Sequence, residues 1–184
     1  MKKSLVALSA VIALAACNDS SNTKEETQET TEITVSLETT KVEIQLNLPS
    51  GNNSPITNTQ NFTPDDSLSY NASTSTNVCD PEGSQKVLGV YLLRVEDSKW
   101  DVYFRLGDDL LNIEGGILGG NGQNKATIEF DDNGGFIRQA PYIINSTELQ
   151  YAGKNYKIEF DFYSDLTTNL DEPFNVKNLN ANGC

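Results

Sequence analysis

The sequence has no histidine, one tryptophan, one methionine and only three cysteines. Without an imidazole, Ser-His-Asp and Cys-His nucleophile arrangements are excluded, as is every metal site built on a histidine ligand. Cations are scarce: 13 Lys and Arg stand against 26 Asp and Glu, a formal net charge of −13. Nucleic-acid binding draws on clustered Lys and Arg that release counterions from phosphate, so no nucleic-acid partner is expected. Long apolar runs are missing too. The longest, Leu5 to Leu14, is broken by Ser9 and falls short of the roughly 20 residues that cross a bilayer. A chain of 184 residues with a 37% hydrophobic share suits one domain with a modest core plus some non-domain sequence.

The short apolar run has a different use. Lys2 and Lys3 precede it as a positive n-region, and its length is that of a secretory signal core. It ends in Leu14-Ala15-Ala16-Cys17, which resembles the lipobox of bacterial lipoproteins. The plainer reading is an ordinary signal followed by a chance cysteine, but charge, length, small residues and cysteine all fall in register. The resemblance implies cleavage before Cys17 and acylation of its thiol and amine, which anchors the protein in a membrane. Asn18, where an Asp would retain such a protein, implies sorting to the outer membrane, on its periplasmic or its cell-surface face. Cleavage removes Lys2, Lys3 and no acid, so the mature chain carries 11 basic and 26 acidic residues, net −15. The organisation expected is a signal peptide over 1–16, a lipidated cysteine and Thr/Glu-rich tether over 17–39, and a β domain over 40–184. The tether is too poor in apolar groups to offset the entropy of ordering.

From Lys41 the pattern has period 2. Val42, Ile44, Leu46 and Leu48 alternate with Lys41, Glu43, Gln45 and Asn47, as in a strand with one buried face. Residues 70–78 form a Ser/Thr-rich strand, followed by the turn Asp80-Pro81-Glu82-Gly83. Residues 85–95 and 99–106 read as a hairpin, with Trp100, Val102, Phe104 and Leu106 on one face. A second hairpin joins 125–130 to 136–139 through Asp131-Asp132-Asn133-Gly134-Gly135. Tyr156, Ile158, Phe160 and Phe162 alternate again. Gly or Asn interrupts every candidate helix. The fold expected is all-β, a small antiparallel β-sandwich or flattened barrel in a single domain.

Read in order, six segments resemble the middle domain of the bacterial flagellar hook protein. They are Thr40-Lys41-Val42-Glu43-Ile44-Gln45-Leu46-Asn47-Leu48; Phe62-Thr63-Pro64-Asp65-Asp66-Ser67-Leu68-Ser69-Tyr70-Asn71; and Ser73 to Ser84 with its Val78-Cys79-Asp80-Pro81-Glu82-Gly83 turn. Leu88-Gly89-Val90-Tyr91-Leu92 with Lys99-Trp100-Asp101-Val102-Tyr103, Ile128 to Gly134, and Phe174 to Gly183 complete the series. The resemblance covers residues 40–184. It departs from the family in lacking the terminal apolar heptads through which hook subunits polymerise, and in starting with a lipoprotein signal. It therefore implies the hook's β module carried on a lipid anchor, not a hook subunit.

The candidate chemistry is sparse. Asp65-Asp66, Asp108-Asp109 and Asp131-Asp132 could serve acid/base work or hold Ca²⁺, but each sits beside turn formers, and Asp131-Asp132-Asn133-Gly134 lacks the spacing and distal Glu of a calcium loop. Turn chemistry is the reading adopted, with weak Ca²⁺ binding as the alternative. The stretch 107–124 holds six of the 13 glycines, but no Lys-Ser/Thr follows as in a phosphate loop, so it reads as a long mobile connection. Most of the 15 aromatics read as core; a sugar-binding face would need Tyr142, Tyr151 and Tyr163 exposed beside acids. With Cys17 acylated, Cys79 and Cys184 remain, and an even pair in an oxidising compartment suggests a bridge, against two free buried thiols. In the hook family both positions carry tyrosine, and the chain leaves the module there for its next domain; a disulfide here would clamp that exit instead. No catalytic residue, metal ligand or cofactor is expected. The function expected is a non-enzymatic outer-membrane lipoprotein with a structural or assembly role and a flagellar or other envelope protein as partner. The alternative is a surface adhesin or glycan-binding lipoprotein on the same fold.

Overall fold

The computed structural model describes residues 37–51, 54–56 and 62–184, all within one compact unit. In chain order the strands begin with β1 (Lys41–Asn47), β2 (Ala72–Cys79), β3 (Gln85–Glu96) and β4 (Lys99–Leu106). Next come β5 (Asp109–Leu110), β6 (Ile117–Leu118), β7 (Asn124–Phe130), β8 (Phe136–Ala140) and β9 (Ile144–Asn145). The last are β10 (Leu149–Tyr151), β11 (Lys154–Tyr156), β12 (Glu159–Asp161) and β13 (Asn175–Ala181). No α-helix occurs among the described residues.

Two open sheets face each other, so the choice between sandwich and barrel resolves to a sandwich. The first sheet has the order β13-β1-β12-β9. The second has the order β2-β3-β4-β7-β6, with β5 added to β4 and β8 to β7; β10 and β11 form a separate hairpin. Pairing is antiparallel except between β1 and β12, which run parallel with Lys41 opposite Glu159. The sequence gives no sign of that exception, because a parallel pair depends on a distant crossover rather than a local turn.

The alternation read from sequence is what fills the core. Val42, Ile44 and Leu46 on β1 point inward with Phe160 on β12, and meet Leu88, Val90 and Leu92 on β3 and Trp100, Val102 and Phe104 on β4. Phe104 and Phe160 stack across the two sheets with centroids 3.8 Å apart, and Phe162 tilts against Phe104 at 6.4 Å. Trp100 is fully buried.

Strand β4 is also buried on its other face, which the alternation does not foretell. Tyr103 and Leu93 form a second small cluster with Phe62, whose ring stacks on Tyr103 at 4.3 Å. The Phe62 segment is held down by Ser69, whose hydroxyl donates to the carbonyls of Thr63 and Asp66, and by Asp65 paired with Arg105 at 2.9 Å. The glycine-rich stretch 107–124, read above as a mobile connection, is instead part of this cover: it carries β5 and β6 and bonds to both β4 and β7. Gly119 lies so close to the Tyr103 hydroxyl that an added Cβ would stand 2.2 Å from it, so only glycine fits. Beside Tyr103, Asp101 pairs with Lys125, both buried.

Two expectations follow. Trp100→Ala should destabilise the fold by about 3–5 kcal/mol in urea unfolding, as large aromatic truncations in a core do. Lys125→Met should cost about 3–5 kcal/mol by leaving the Asp101 carboxylate buried and unpaired, and adding Asp101→Leu should restore most of the loss. Equal instability of single and double variants would show that packing, not charge, sets the cost.

Candidate functional site

Cys17, the expected lipid attachment point, lies outside the described residues. The place where the chain enters the domain is described. Leu37 to Thr39, read as the end of the tether, are docked. Thr39 is fully buried; its N–H donates to the Cys79 carbonyl at 2.9 Å, and its hydroxyl accepts the Cys79 N–H at 2.9 Å. On the other side the Cys184 N–H donates to the Leu37 carbonyl at 3.1 Å. The Asn182 side-chain carbonyl accepts the N–H groups of both Thr40 and Lys41 at 2.8 Å. Gly183 sits at φ +79°, and an added Cβ would meet the Glu38 carbonyl oxygen at 2.6 Å, so this close approach requires glycine.

A disulfide closes the same corner. Cys79 at the end of β2 is joined to Cys184 just past β13, with Cα atoms 5.4 Å apart, inside the span a bridge can cover. The bridge ties β2 of one sheet to the residues that follow β13 of the other, 105 positions apart in sequence. The incoming segment 37–39 is held between them.

The acidic pairs serve the fold. Asp131 Oδ1 accepts the N–H groups of Asn133 and Gly135 at 2.8 Å, which builds the β7–β8 turn. Asp66 Oδ1 accepts the Leu68 N–H at 3.0 Å, and Asp65 and Asp108 both pair with Arg105. Among the described residues no group of three Asp, Glu or Cys is placed to hold a metal ion. A broad depression of about 810 Å³ has Asp97, Asp131, Asp132 and Asp171 among its lining residues. Its Asp97 is paired with Arg94, whose buried guanidinium also donates to the carbonyls of Gly51 and Ser54. Asp101 is a carboxyl that burial pushes above its usual range, against the opposing pull of Lys125, yet it is buried away from the surface. Burial likewise pushes the Tyr103 phenol up to about 12. These groups are covered structural members, not an acid and a base facing a substrate.

Of the three tyrosines singled out in sequence, Tyr142 and Tyr163 stand 81% and 70% exposed, whereas Tyr151 is half-buried with Lys86 Nζ 4.9 Å from its ring centroid. The residue that organises the first two, Gln139, escapes sequence reading. It is a polar side chain at an alternating position of β8 and turns inward.

Comparison with known proteins gives two family matches. Residues 47–184 match the flagellar basal body protein FlaE D2 domain. Residues 1–18 match the prokaryotic membrane lipoprotein lipid attachment site. No curated protein sequence matches the chain. Among solved structures it is similar to a 32 kDa fragment of the flagellar hook protein FlgE from Caulobacter crescentus, at 16% identity and a TM-score of 0.45. That similarity covers 61% of this chain and 46% of the fragment, so the chain spans less than half the fragment's length.

The disulfide corner has a direct test. Thiol titration of the acylated, unreduced, unfolded chain should find no reactive thiol, and two after reductant. Reduction, or Cys79→Ser with Cys184→Ser, should cost about 2–5 kcal/mol of stability. Two free thiols before reductant would refute the bridge.

Proposed function

This chain belongs to the flagellar basal body protein FlaE D2 domain family, and from that membership we propose a non-enzymatic structural or assembly role at the flagellum, exerted from a lipid anchor in the outer membrane. The observation that carries the reading is the presence in one chain of a hook-type β domain and a lipoprotein attachment site. Cys17 is the acylated residue in this proposal, residues 1–16 are the signal, and Asn18 directs onward sorting. Several acyl chains, at about 0.8 kcal/mol per buried methylene, hold the protein firmly to one leaflet. Residues 18–36 then set the reach: 19 residues fully extended span at most about 65 Å, which bounds the distance from bilayer to domain.

The geometry of the entry corner supports a tethered role. Because Leu37 to Thr39 are fixed between Cys79 and Cys184, the domain is presented from one defined corner. The partner expected is a flagellar or other envelope component. A mature charge of −15 opposes nucleic acid and anionic lipid surfaces alike.

Fractionation and motility test this reading together. Wild-type protein should band with outer membranes, Asn18→Asp with inner membranes, and Cys17→Ser in the soluble fraction. Deleting 40–184 while keeping the anchor should impair swimming or flagellar attachment. Sedimentation of Cys17→Ser with membranes as in wild type would sink the anchor; normal swimming of the deletion strain would sink the flagellar role.

A further inference from the structure

Two strongly exposed tyrosines face a cleft of about 200 Å³, lined by Gln139, Tyr142, Ile143, Glu159, Asp161 and Tyr163. The chain leaves β8 in one sheet at Ala140 and enters β9 in the other at Ile144, so Tyr142 and Ile143 lie on the crossing. Glu159, Asp161 and Tyr163 come from β12 and the residues after it. The cleft therefore straddles the edge where the two sheets meet.

Its walls are fixed by one buried amide. Gln139 Nε2 donates to the Tyr142 carbonyl at 2.8 Å, and its Oε1 accepts the Phe162 N–H at 2.9 Å. The same side chain thus locks the backbone at Tyr142 and the backbone next to Tyr163. Tyr163 is further held by its own N–H, which donates to Asp161 Oδ1 at 2.9 Å, and by Phe136, packed at right angles with centroids 5.8 Å apart. Tyr142, Ile143 and Tyr163 thus form a contiguous exposed apolar patch rimmed by polar groups, the kind of surface that marks a binding site. The polar groups are specific as well. Lys41 Nζ lies 2.8 Å from Asp161 and 3.4 Å from Glu159, so the two carboxylates share one ammonium, which compensates half of their charge and leaves acceptors beside a donor.

We propose that this cleft binds a neutral pyranose ring of a polysaccharide, with Tyr142 and Tyr163 as stacking surfaces and Glu159, Asp161 and Lys41 as partners of its hydroxyls. The ring's C–H faces suit the electron-rich faces of tyrosine. Its hydroxyls can donate to the carboxylates and accept from Lys41, replacing water group for group. An apolar protein segment would bury the same three charged side chains without replacing their water, which costs free energy. One net negative charge remains at the pair, so a cation is the rival occupant that the cationic control tests. The volume suits a single ring, with recognition falling on one residue of a longer chain. This role is separate from the flagellar one and does not depend on it.

The test uses the full acylated protein in a detergent without a sugar headgroup. Cellotetraose, maltotetraose and the tetramer of N-acetylglucosamine are the neutral ligands, and tetralysine is the cationic control, all by titration calorimetry. At least one tetrasaccharide should bind with a Kd near about 1 mM, a weak interaction suited to a repeated polymer. Tyr142→Ala and Tyr163→Ala should each weaken it about tenfold with unchanged melting temperature, and Tyr142→Phe should retain most of it. Gln139→Met, which removes the amide that holds the Tyr142 and Phe162 backbones, should also weaken binding. No binding of any tetrasaccharide at about 10 mM would overturn the proposal. So would affinity unchanged in the double tyrosine variant, tyrosine-dependent binding of tetralysine in preference to sugar, or self-association lost in these variants without sugar binding.

Discussion

Burying β4 on both faces obliges the chain to build a second layer outside a two-sheet sandwich, and much of the remaining structure answers that need. The inward face of the strand, Trp100, Val102 and Phe104, is closed by β1 and β12 through the Phe104–Phe160 stack. The outward face, Asp101 and Tyr103, has no sheet opposite it. Phe62 covers the ring of Tyr103, Lys125 neutralises Asp101, and the glycine-rich stretch lies over the Tyr103 hydroxyl with no room for a side chain at Gly119. The Asp101 charge on that face is tolerated because Lys125 meets it, which is the condition for placing a charge in low dielectric, whereas the Tyr103 hydroxyl is buried without a hydrogen-bond partner and its cost falls on the packing of the ring.

This explains which parts of the architecture were legible in the residues. Alternation reveals one buried face at a time, so β1, β3, β4 and the Ile158–Phe162 pattern could be read, and their apolar positions are those found in the core. The β7–β8 turn was legible because Asp131, Asn133 and glycine carry their own local hydrogen-bonding instructions. A doubly buried strand violates the alternation rule. The covering role of residues 107–124 was therefore invisible, and glycine content alone suggested freedom where the structure uses glycine for closeness. The parallel pairing of β1 with β12 and the docking of Leu37 to Thr39 are likewise products of distant partners.

The surface features split in the same way. Asp65, Asp66 and Asp131 serve turns and the surface, as the turn formers beside them (Pro64 and Ser67, Asn133 and Gly134) indicated. Tyr142 and Tyr163 could be named as conditional candidates, but only the fold brings them to one cleft. Gln139 has no signature at all, since a glutamine in a strand normally points to water. The family to which the chain belongs is visible in short segments, whereas the cleft lies between segments that the resemblance did not use.

The corner formed by Cys79, Cys184 and Leu37 to Thr39 also has a mechanical meaning. A pull applied between residue 37 and residue 184 acts on points already joined by a backbone hydrogen bond, one of them covalently tied to the strand that holds Thr39. Such tension short-circuits through the corner and leaves the two sheets unstressed. Tension between the anchor and a partner gripping the far β7–β8 turn would instead travel through the sandwich. The domain would then resist in proportion to where it is held, yielding nothing at the corner and stretching only along its length.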